Sequence, residues 1–305
     1  MNQKIVSYIT LYNDNQSVFR CLQAIKSQTI PVDLIFIVDN SKKQLLNGLD
    51  DTSILVHHFP SNIGISNGLI LALEWAIKEN YKFLWTFDQD SIPSPNCLDC
   101  LLEEHQNLTL LGNKVGIVAP IAYDKRSQSV IGGVNFTHDK FTHCQYDESI
   151  TSYECDAPIT SGSLIDLDAA KITEFPLGDL FIDGVDFDYG LKFRKQGFKN
   201  FVVTKAKLEH NYANPINLKF LNFTRVFHSY SALRYYYSCR NTTYLAIHYA
   251  KGFYKLTASL HRIKTMLLKI AAIIFFEETS KPQKIYACLL GTYHGFIQKL
   301  GKLWH

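Results

Sequence analysis

Two aspartates follow a strongly apolar segment near the end of the first third of the chain. Asp88 and Asp90, separated by Gln89, come directly after residues 82–87 (KFLWTF). Two carboxylates that project from the same side of an extended segment can share a hard divalent cation with a diphosphate. Such a cation neutralises charge on a departing nucleoside diphosphate. The alternative is a simple turn with Asx caps. The position after a predicted strand favours the metal site.

A third carboxylate, Asp39, ends the apolar segment 34–38 (LIFIV) in the same way. It could accept hydrogen bonds from a pyrimidine N3–H or a ribose hydroxyl, or it could cap the turn that follows. The loop 62–68 (NIGISNG) leads into a predicted helix but has neither G-x-G-x-x-G nor a P-loop lysine. The helix N-terminus could still favour a phosphate, and a plain N-cap explains Asn67 equally well.

Three acids, Asp183, Asp186 and Asp188, lie within the segment 181–189 (FIDGVDFDY). An acid held beside an acceptor hydroxyl can serve as a general base. Acids in the first turn of a helix are also favoured by the helix dipole, which is the alternative. His210 follows another predicted strand, 201–204, and a lone histidine is more often structural or solvent-exposed.

Alternating strands and helices are predicted to position these residues. Continuous apolar runs of this kind indicate a parallel sheet covered on both faces. Its carboxyl edge, where open α/β sheets bind ligands, would carry the polar clusters. The predicted strands are 4–10, 34–38, 53–58 and 82–87, and the predicted helices are 16–28, 67–80 and 96–106. Shorter strands and loops are expected over 115–180.

A change to helical spacing is predicted from about residue 216, carried by residues such as Leu221, Val226 and Leu233. We therefore expect a catalytic domain over 1–215 and a helical region over 216–305. The first domain would divide into a nucleotide-sugar half, about 1–110, and an acceptor half, about 111–215.

Composition narrows the function classes. A formal net charge of +3 over 305 residues does not favour nucleic acid as a partner. Seven cysteines without a regular framework fit free thiols in a reducing compartment. Cys97 and Cys100 form a C-x-x-C that we interpret as two ordinary thiols rather than half of a zinc site. With no signal peptide and no apolar segment of full membrane length, the expected location is cytoplasmic.

A basic amphipathic segment covers residues 251–276. Lysines such as Lys251, Lys255 and Lys264 alternate there with apolar residues such as Leu256 and Leu260. Such a helix could rest on an anionic membrane beside a lipid-linked acceptor. The alternative is a helix that packs on the catalytic domain or forms an oligomer interface, and the oligomeric state stays open.

Taken together and in order, these segments resemble the inverting family 2 glycosyltransferases of the GT-A fold. The matching segments are Thr10-Leu11-Tyr12-Asn13, Val38-Asp39-Asn40-Ser41, Asn62-x-Gly64-x-x-Asn67-Gly68, Asp88-x-Asp90, Ser161-Gly162-Ser163 and Asp183-x-x-Asp186. The resemblance covers roughly residues 4–212. Within the family, residues 87–91 (FDQDS), 181–186 (FIDGVD) and 234–241 (RYYYSCRN) look most like bacterial rhamnosyltransferases. Gly291-x-x-x-Gly295 and Gly301-Lys302 are also similar to the C-terminus of that group.

The resemblance implies a Rossmann-like, mostly parallel sheet with helices on both faces, and it assigns roles to individual residues. Asp88 would approach the ribose and diphosphate, and Asp90 would be the main ligand of Mg²⁺ or Mn²⁺. His210 matches a histidine that helps to bind metal or diphosphate in some members. The implied donor-binding residues are Thr10, Tyr12, Asn13, Asp39, Asn67, Asp88 and Asp90, and the implied acceptor-binding residues are Ser161, Gly162 and Asp186.

The implied catalytic base is Asp186. Val185 stands where the family usually has a glutamate, which leaves Asp183 and Asp188 as rival or supporting acids. The implied reaction moves rhamnose from dTDP-rhamnose to a saccharide or lipid-linked saccharide in cell-surface polysaccharide biosynthesis, at the inner face of the membrane. A UDP-hexose or UDP-N-acetylhexosamine donor is an alternative, and so is a catalytically inactive carbohydrate-binding protein.

Overall fold

The computed structural model describes residues 4–48, 50–211, 214–220 and 223–304, with the backbone alone for 214–220 and 223–227. The strands are β1 (Ile5–Leu11), β2 (Leu34–Asp39), β3 (Ile54–His58), β4 (Phe83–Asp88), β5 (Ile92–Pro93), β6 (Val115–Asp124), β7 (Ser129–Ile131), β8 (Val134–Thr137), β9 (Lys140–His143), β10 (Ser152–Cys155), β11 (Leu164–Asp166), β12 (Lys199–Glu209), β13 (Asn214–Phe220) and β14 (Phe223–Ser229). The helices are α1 (Asn15–Lys26), α2 (Gly64–Lys78), α3 (Cys97–Leu110), α4 (Leu167–Ala170), α5 (Val185–Lys195), α6 (Ala232–Tyr249), α7 (Tyr254–Phe276) and α8 (Lys281–Phe296), with a 3₁₀ turn at Gly178–Leu180.

The central sheet has the strand order β10-β12-β6-β11-β4-β1-β2-β3. Strands β4, β1, β2 and β3 run parallel to one another, and β11 is antiparallel to both of its neighbours. The predicted fold class is therefore confirmed: the sheet is mostly parallel, helices cover both faces, and further helices follow at the C-terminal side.

Strand β1 shows why the strands read as continuous apolar runs. Successive side chains of a strand point to opposite faces of the sheet. Ile5 and Ile9 pack with α1 and α3 on one face, whereas Val6 and Tyr8 pack with α2 on the other. Because both faces are covered, neither set is exposed to water, and each buried large apolar side chain stabilises the fold by about 2 kcal/mol.

The register of the sheet brings the polar strand ends together. Thr10 pairs with Asp88 on one side and with Val38 on the other, and Leu11 pairs with Asp39. The expectation that these clusters share one edge is confirmed.

Helix α2 begins earlier than predicted. It starts at Gly64, whose φ is +82°, and the Gly64 N–H donates to Asn62 Oδ1 over 2.9 Å. The Asn62 side chain therefore accepts a hydrogen bond from the first N–H group of the helix, and Asn67 lies inside the first turn. The interpretation of Asn67 as an N-cap is wrong.

The predicted helical region is confirmed from Ala232 onward, but its predicted start at residue 216 is wrong. Strands β13 and β14 pair antiparallel over this stretch, in a register that joins Asn214 with Ser229. The sequence 216–220 alternates apolar and polar residues (INLKF), which favours a strand. The prediction counted apolar residues at helical spacing and overlooked this shorter period. Leu221, one of the residues counted, lies outside the described residues.

The three long helices after residue 231 form a small core of their own, in which Tyr235, Tyr236 and Tyr237 are fully buried. Helices α6 and α8 approach closely because α8 carries glycines at the contact. A Cβ on Gly291 would lie 2.3 Å from the Tyr236 carbonyl oxygen, and one on Gly295 would lie 2.5 Å from that of Arg240. Within the described ranges, no helix is both long and apolar enough to cross a membrane.

Candidate active site

Asp88, Asp90 and His210 lie together at the carboxyl edge of the sheet. His210 Nδ1 is 3.5 Å from Asp90 Oδ1, and its Nε2 is 3.9 Å from Asp88 Oδ2. Burial raises the pKa of Asp90, the negative charge of Asp88 adds to this rise, and His210 opposes it. The three predicted metal-binding residues are therefore neighbours in space, although more than 100 residues separate His210 from the aspartates.

Two buried serines support this cluster. Ser161 Oγ accepts a hydrogen bond from the Asp88 N–H over 3.0 Å and lies 2.5 Å from Ser91 Oγ. Ser91 Oγ is in turn 2.9 Å from His210 Nδ1. A chain of hydroxyl groups thus orients both Asp88 and the imidazole, and it leaves Nε2 of His210 facing Asp88.

The donor atoms of this cluster suit a divalent cation, since carboxylate oxygens and an imidazole nitrogen are ligands of Mn²⁺ and, for the oxygens, of Mg²⁺. Neighbouring ligands of such an ion are separated by about 3 Å, because each metal–ligand bond is about 2.1 Å long. The observed 3.9 Å between Asp88 and His210 must therefore shorten slightly. In the described part of the chain, no group of three or more His, Cys, Asp or Glu side chains is already arranged to hold a metal ion.

Asp186 lies in the first turn of α5, partly buried. Burial raises the pKa of its carboxyl group to about 7, and the negative charges of Asp183 and Asp88 contribute to the rise. The Phe187 N–H donates a hydrogen bond to Asp186 Oδ1 over 3.0 Å, and this bond lowers the pKa and so opposes the rise. A carboxylate with a pKa near 7 is suited to accept a proton at neutral pH.

The loop before Asp186 has an unusual backbone. Phe181 has φ +67° and ψ −67°, and the Ile182 N–H donates to the Leu180 carbonyl over 2.8 Å, which together make a γ-turn at Phe181. Asp183 and Gly184 also have positive φ, of 56° and 76°. Such conformations cost free energy in non-glycine residues and persist only where the surroundings hold them.

Two buried residues of α6 hold this loop. The Asn241 side-chain amide donates to the carbonyls of Leu180, Ile182 and Asp183, over 2.6 to 2.9 Å. Arg240 is fully buried and donates hydrogen bonds to the carbonyls of Asp179 and Leu180. Its Nε also donates to Asn241 Oδ1. Helix α6 therefore holds the strained loop in place through hydrogen bonds to the carbonyl groups of the loop. Neither residue was assigned a role from the sequence, although both belong to the segment 234–241.

The three acids of this segment have different surroundings. Asp183 Oδ1 accepts from Arg234 Nε over 3.4 Å, while its Oδ2 is buried and has no hydrogen-bond partner among the described residues. Asp188 is buried, pairs with Lys192 Nζ at 2.9 Å, and accepts hydrogen bonds from Tyr249 and from the Leu177 N–H. Both carboxylate oxygens of Asp188 are therefore already bonded within the fold, and we favour Asp186 over Asp188 as the base.

A cavity of about 470 Å³ opens beside the ends of β1 and β2. Three of the predicted donor-binding residues, Thr10, Tyr12 and Asn13, line it. The side-chain amide of Gln89 pairs with the backbone of Tyr12, accepting from its N–H at 2.6 Å and donating to its carbonyl at 3.1 Å. Gln89, the middle residue of the Asp88-x-Asp90 motif, therefore joins the cavity wall to the acid cluster.

Other predicted site residues do not line this cavity. Asp39 is fully buried, and its two carboxylate oxygens accept the N–H groups of Ser41 and Leu45. Asn67 is exposed and donates to the carbonyls of Ile63 and Gly178. Their contacts with a donor stay predictions, as do those of Ser161 and Gly162 with an acceptor. The Gly162 carbonyl accepts from Trp85 Nε1 over 2.9 Å, and a Cβ at Gly162 would collide with Pro120.

The far end of the chain completes the cavity, which sequence reasoning missed. Lys302 and Trp304 line it together with Lys42. Lys302 Nζ donates to the carbonyls of Ser61 and Asn62 and lies 5.4 Å from the centre of the Phe181 ring. Lys302 had appeared only as part of a similarity to other C-termini. No local pattern places it against a loop 241 residues earlier in the chain.

Comparison with known proteins agrees with this geometry. A family model described as "Glycosyl transferase family 2" matches residues 8–147, which include β1 and the acid pair after β4. A search of curated protein sequences found no match.

Solved structures with the same fold include those of TarS and GalNAc-T7. TarS from S. aureus, residues 1–349, superposes with a TM-score of 0.55 at 13% identity, covering 96% of this chain and 81% of the other. The same TarS segment was also solved in complex with UDP-GlcNAc, with a TM-score of 0.56, 13% identity, and 93% and 79% coverage. GalNAc-T7, solved with UDP, GalNAc and Mn²⁺, has a TM-score of 0.63 at 13% identity, covering 97% of this chain and 56% of the other. At this identity the likeness shows the GT-A fold.

Proposed function

We propose that the chain is an inverting glycosyltransferase that uses a nucleotide-sugar donor. The observation that carries the proposal is the cluster of Asp88, Asp90 and His210 at the carboxyl edge of the sheet, in which His210 Nδ1 lies 3.5 Å from Asp90 Oδ1. Asp186, whose raised pKa includes a contribution from the charge of Asp88, is the proposed base. The proposed base, the proposed cation ligands and a cavity of about 470 Å³ beside the ends of β1 and β2 support this assignment. The family model over residues 8–147 supports the same assignment.

The mechanism we infer is a single displacement. Asp186 accepts the proton of an acceptor hydroxyl, whose oxygen forms a bond to the anomeric carbon of the donor. The bond from that carbon to the diphosphate oxygen breaks on the opposite face, so the anomeric configuration inverts. The electron pair of the broken bond leaves with the nucleoside diphosphate, whose charge Lys42 and Lys302 would stabilise from the wall of the cavity.

Asp88, Asp90 and His210 are the proposed ligands of Mg²⁺ or Mn²⁺. When bound, such an ion would neutralise charge on the diphosphate. The chain's own contribution is the ordering of these ligands through Ser91 and Ser161, whose hydroxyl groups are buried and hydrogen-bonded.

The donor we propose is dTDP-rhamnose, which rests on the local similarity of residues 87–91, 181–186 and 234–241 to rhamnosyltransferases. A UDP-hexose or UDP-N-acetylhexosamine is the second candidate, favoured by structural neighbours solved with UDP, UDP-GlcNAc or GalNAc. The proposed acceptor is a saccharide or lipid-linked saccharide at the cytoplasmic face of the membrane, in the synthesis of a cell-surface polysaccharide.

A donor screen tests the proposal. The purified chain is heated with dTDP-rhamnose, UDP-glucose or UDP-GlcNAc, with and without Mn²⁺, and the melting temperature is compared with that of the free protein. We expect dTDP-rhamnose to raise it most, and Asp186→Asn to keep this rise while losing release of the nucleoside diphosphate. If no donor stabilises the protein or releases a diphosphate, while glycans bind, the carbohydrate-binding alternative is correct.

A further inference from the structure

The outward face of α7 is apolar. The side chains that α7 buries are Ala258, Arg262 and Ile273. The exposed face instead carries large apolar side chains at helical spacing, namely Leu256, Leu260, Ile263, Leu267, Ile274 and Phe275. A surface helix of a water-soluble domain normally shows the opposite arrangement, with polar residues facing outward.

Helix α8 continues this surface. Its exposed residues include Tyr286, Leu289 and Tyr293, and Ile297 follows directly after the helix. These residues are spaced three or four positions apart, which places them on one face of the helix. Helices α7 and α8 pack against each other. Exposed apolar patches of this extent mark surfaces that contact a partner or a membrane.

The charge of the region indicates which partner fits. Residues 251–304 contain nine Lys or Arg and two Glu, a net charge of 9 − 2 = +7. The 23 residues of α7 include no acid, and Lys255 and Lys264 are exposed along it. Exposed apolar side chains flanked by lysines are typical of helices that lie in the interface of anionic lipid.

A second copy of the chain fits this surface less well. A two-fold symmetric contact would place α7 against the same surface of its partner. The exposed lysines of both copies would then outnumber the acids that could pair with them, since Glu277 is buried against Lys284 and only Glu278 is exposed, and like charges brought together destabilise an interface. An anionic lipid surface neutralises them instead.

We propose that the outer face of α7 and α8 rests on an anionic lipid bilayer, with the exposed leucines and Phe275 inserted among the acyl chains. Lipid binding itself does not depend on the proposed function. Only the suggestion that it brings the enzyme to a lipid-linked acceptor rests on that function. The chain after α8 leads directly to the donor cavity, since the Trp304 ring lies 5.9 Å from that of Tyr286 and Trp304 lines the cavity. Contact with lipid and contact with donor would therefore occur on adjoining surfaces.

Vesicle flotation with the full chain tests the proposal. Vesicles of phosphatidylcholine with phosphatidylglycerol are compared with vesicles of phosphatidylcholine alone, at low and high salt. We expect the protein to float with the anionic vesicles at low salt and to be released by high salt, because salt screens the lysines. Lys255→Gln with Lys264→Gln should weaken partitioning about 25-fold, since each lysine contributes roughly fivefold near an anionic surface.

The apolar contribution is tested by Leu260→Asp with Leu267→Asp, which should abolish flotation while leaving the melting temperature unchanged. The matched control is Leu110→Asp with Leu111→Asp, two exposed leucines at the end of α3, and Lys78→Gln on α2 is the control for charge. Both controls should float like the unaltered chain.

Two results would overturn the proposal. One is the absence of flotation with anionic vesicles at low salt. The other is a dimer in sedimentation, without lipid binding, that Leu260→Asp with Leu267→Asp dissociates. Flotation uses no sugar nucleotide, so its outcome is independent of the donor screen. The variants with Leu260→Asp and Leu267→Asp should also keep the donor-induced rise in melting temperature, which separates a failure of this inference from a failure of the proposed function.

Discussion

The side-chain nitrogen of Asn241 lies 2.8 Å from the carbonyl oxygen of Asp183, to which it donates a hydrogen bond. The same amide also bonds the carbonyls of Leu180 and Ile182. A single residue of α6 thus restrains three carbonyl groups of the loop that leads to Asp186. The helical region is therefore joined to the site where we place the proton transfer.

Replacing this residue should affect turnover more than donor binding. Asn241→Ala leaves the carbonyls of Ile182 and Asp183 without this donor, while Leu180 keeps its bond from Arg240, and we expect the fold to be destabilised by about 1–3 kcal/mol. The loop would then relax, and displacement of the base by about 1 Å can lower turnover roughly 100-fold. Thermal unfolding and separate kcat and KM values check this. Asn107→Ala, at an exposed position of α3, is the control and should change neither.

Asp186 and Asp188 should respond differently to the same substitution. Asp186→Asn removes the proposed base and should lower kcat by about 10²- to 10⁴-fold with an unchanged fold. Asp188→Asn instead weakens a buried pair with Lys192 and should lower the melting temperature while the remaining folded protein keeps its turnover. Diphosphate release normalised to folded protein distinguishes the two. Equal loss of turnover in both variants would contradict the assignment of the base.

The raised pKa of Asp186 makes both activity and stability depend on pH. Turnover should rise with pH and level off above pH 7, because the base acts only when its carboxyl group, with a pKa of about 7, is ionised. Between the ordinary pKa of an aspartate and this value, the folded chain binds more protons than the unfolded chain. Its free energy of unfolding should therefore fall as pH rises through that window, by up to about 1.4 kcal/mol per pH unit.

Chemical denaturation at several pH values, compared with Asp186→Asn, measures this contribution. The variant has no carboxyl group to titrate at this position, so its stability should change less between pH 4 and 7 than that of the unaltered chain. Parallel curves for the two proteins would show that Asp186 ionises in the ordinary range.

A divalent cation should stabilise the protein together with a nucleoside diphosphate. We expect Mn²⁺ with dTDP or UDP to raise the melting temperature more than either alone, because each increases the affinity for the other. Asp90→Ala should remove the effect of Mn²⁺ and leave the effect of the nucleotide. Asp99→Ala, at the start of α3, is a matched control. A Mn²⁺ effect that survives Asp90→Ala would place the metal elsewhere.

Lys302 should contribute to binding of the diphosphate. Lys302→Ala removes a cation from the wall of the donor cavity, and we expect the Kd for the nucleoside diphosphate to rise about tenfold, since a hydrogen bond from a charged group contributes about 1.5–3 kcal/mol. Isothermal titration calorimetry measures the change. The neighbouring exposed Lys299 provides the control variant Lys299→Ala. Equal Kd values for the two variants would exclude a direct role.

The sheet and the acid cluster were predictable because local patterns encode them. Strands buried on both faces are apolar throughout, as in β2 and β4, so their ends are visible as the first polar residues. Parallel order then brings Asp39 and Asp88 to one edge. That His210 approaches the same edge follows from its position after β12, which runs parallel to β6.

The supports of the site were not predictable in this way. Arg240 is a charged residue with no exposed surface, and apart from the Asn241 side chain its hydrogen-bond partners are backbone carbonyls, which carry no sequence signal. Likewise, nothing in the composition around Asp188 distinguishes it from Asp186, and only the packing of Lys192 and Tyr249 against it shows that its oxygens are already occupied. Lys192 lies only four positions from Asp188, but Tyr249 lies 61 positions from it, and Arg240 lies 61 positions from Asp179, whose carbonyl it bonds.

The contact between Lys302 and Ser61 spans 241 positions of the chain. The cavity proposed to bind the donor is complete only when the segment after α8 has docked, because Lys302 and Trp304 line it, so nucleotide affinity would report that docking. By the same linkage, a bound nucleotide would slow amide hydrogen exchange in α8, a helix that does not itself line the cavity.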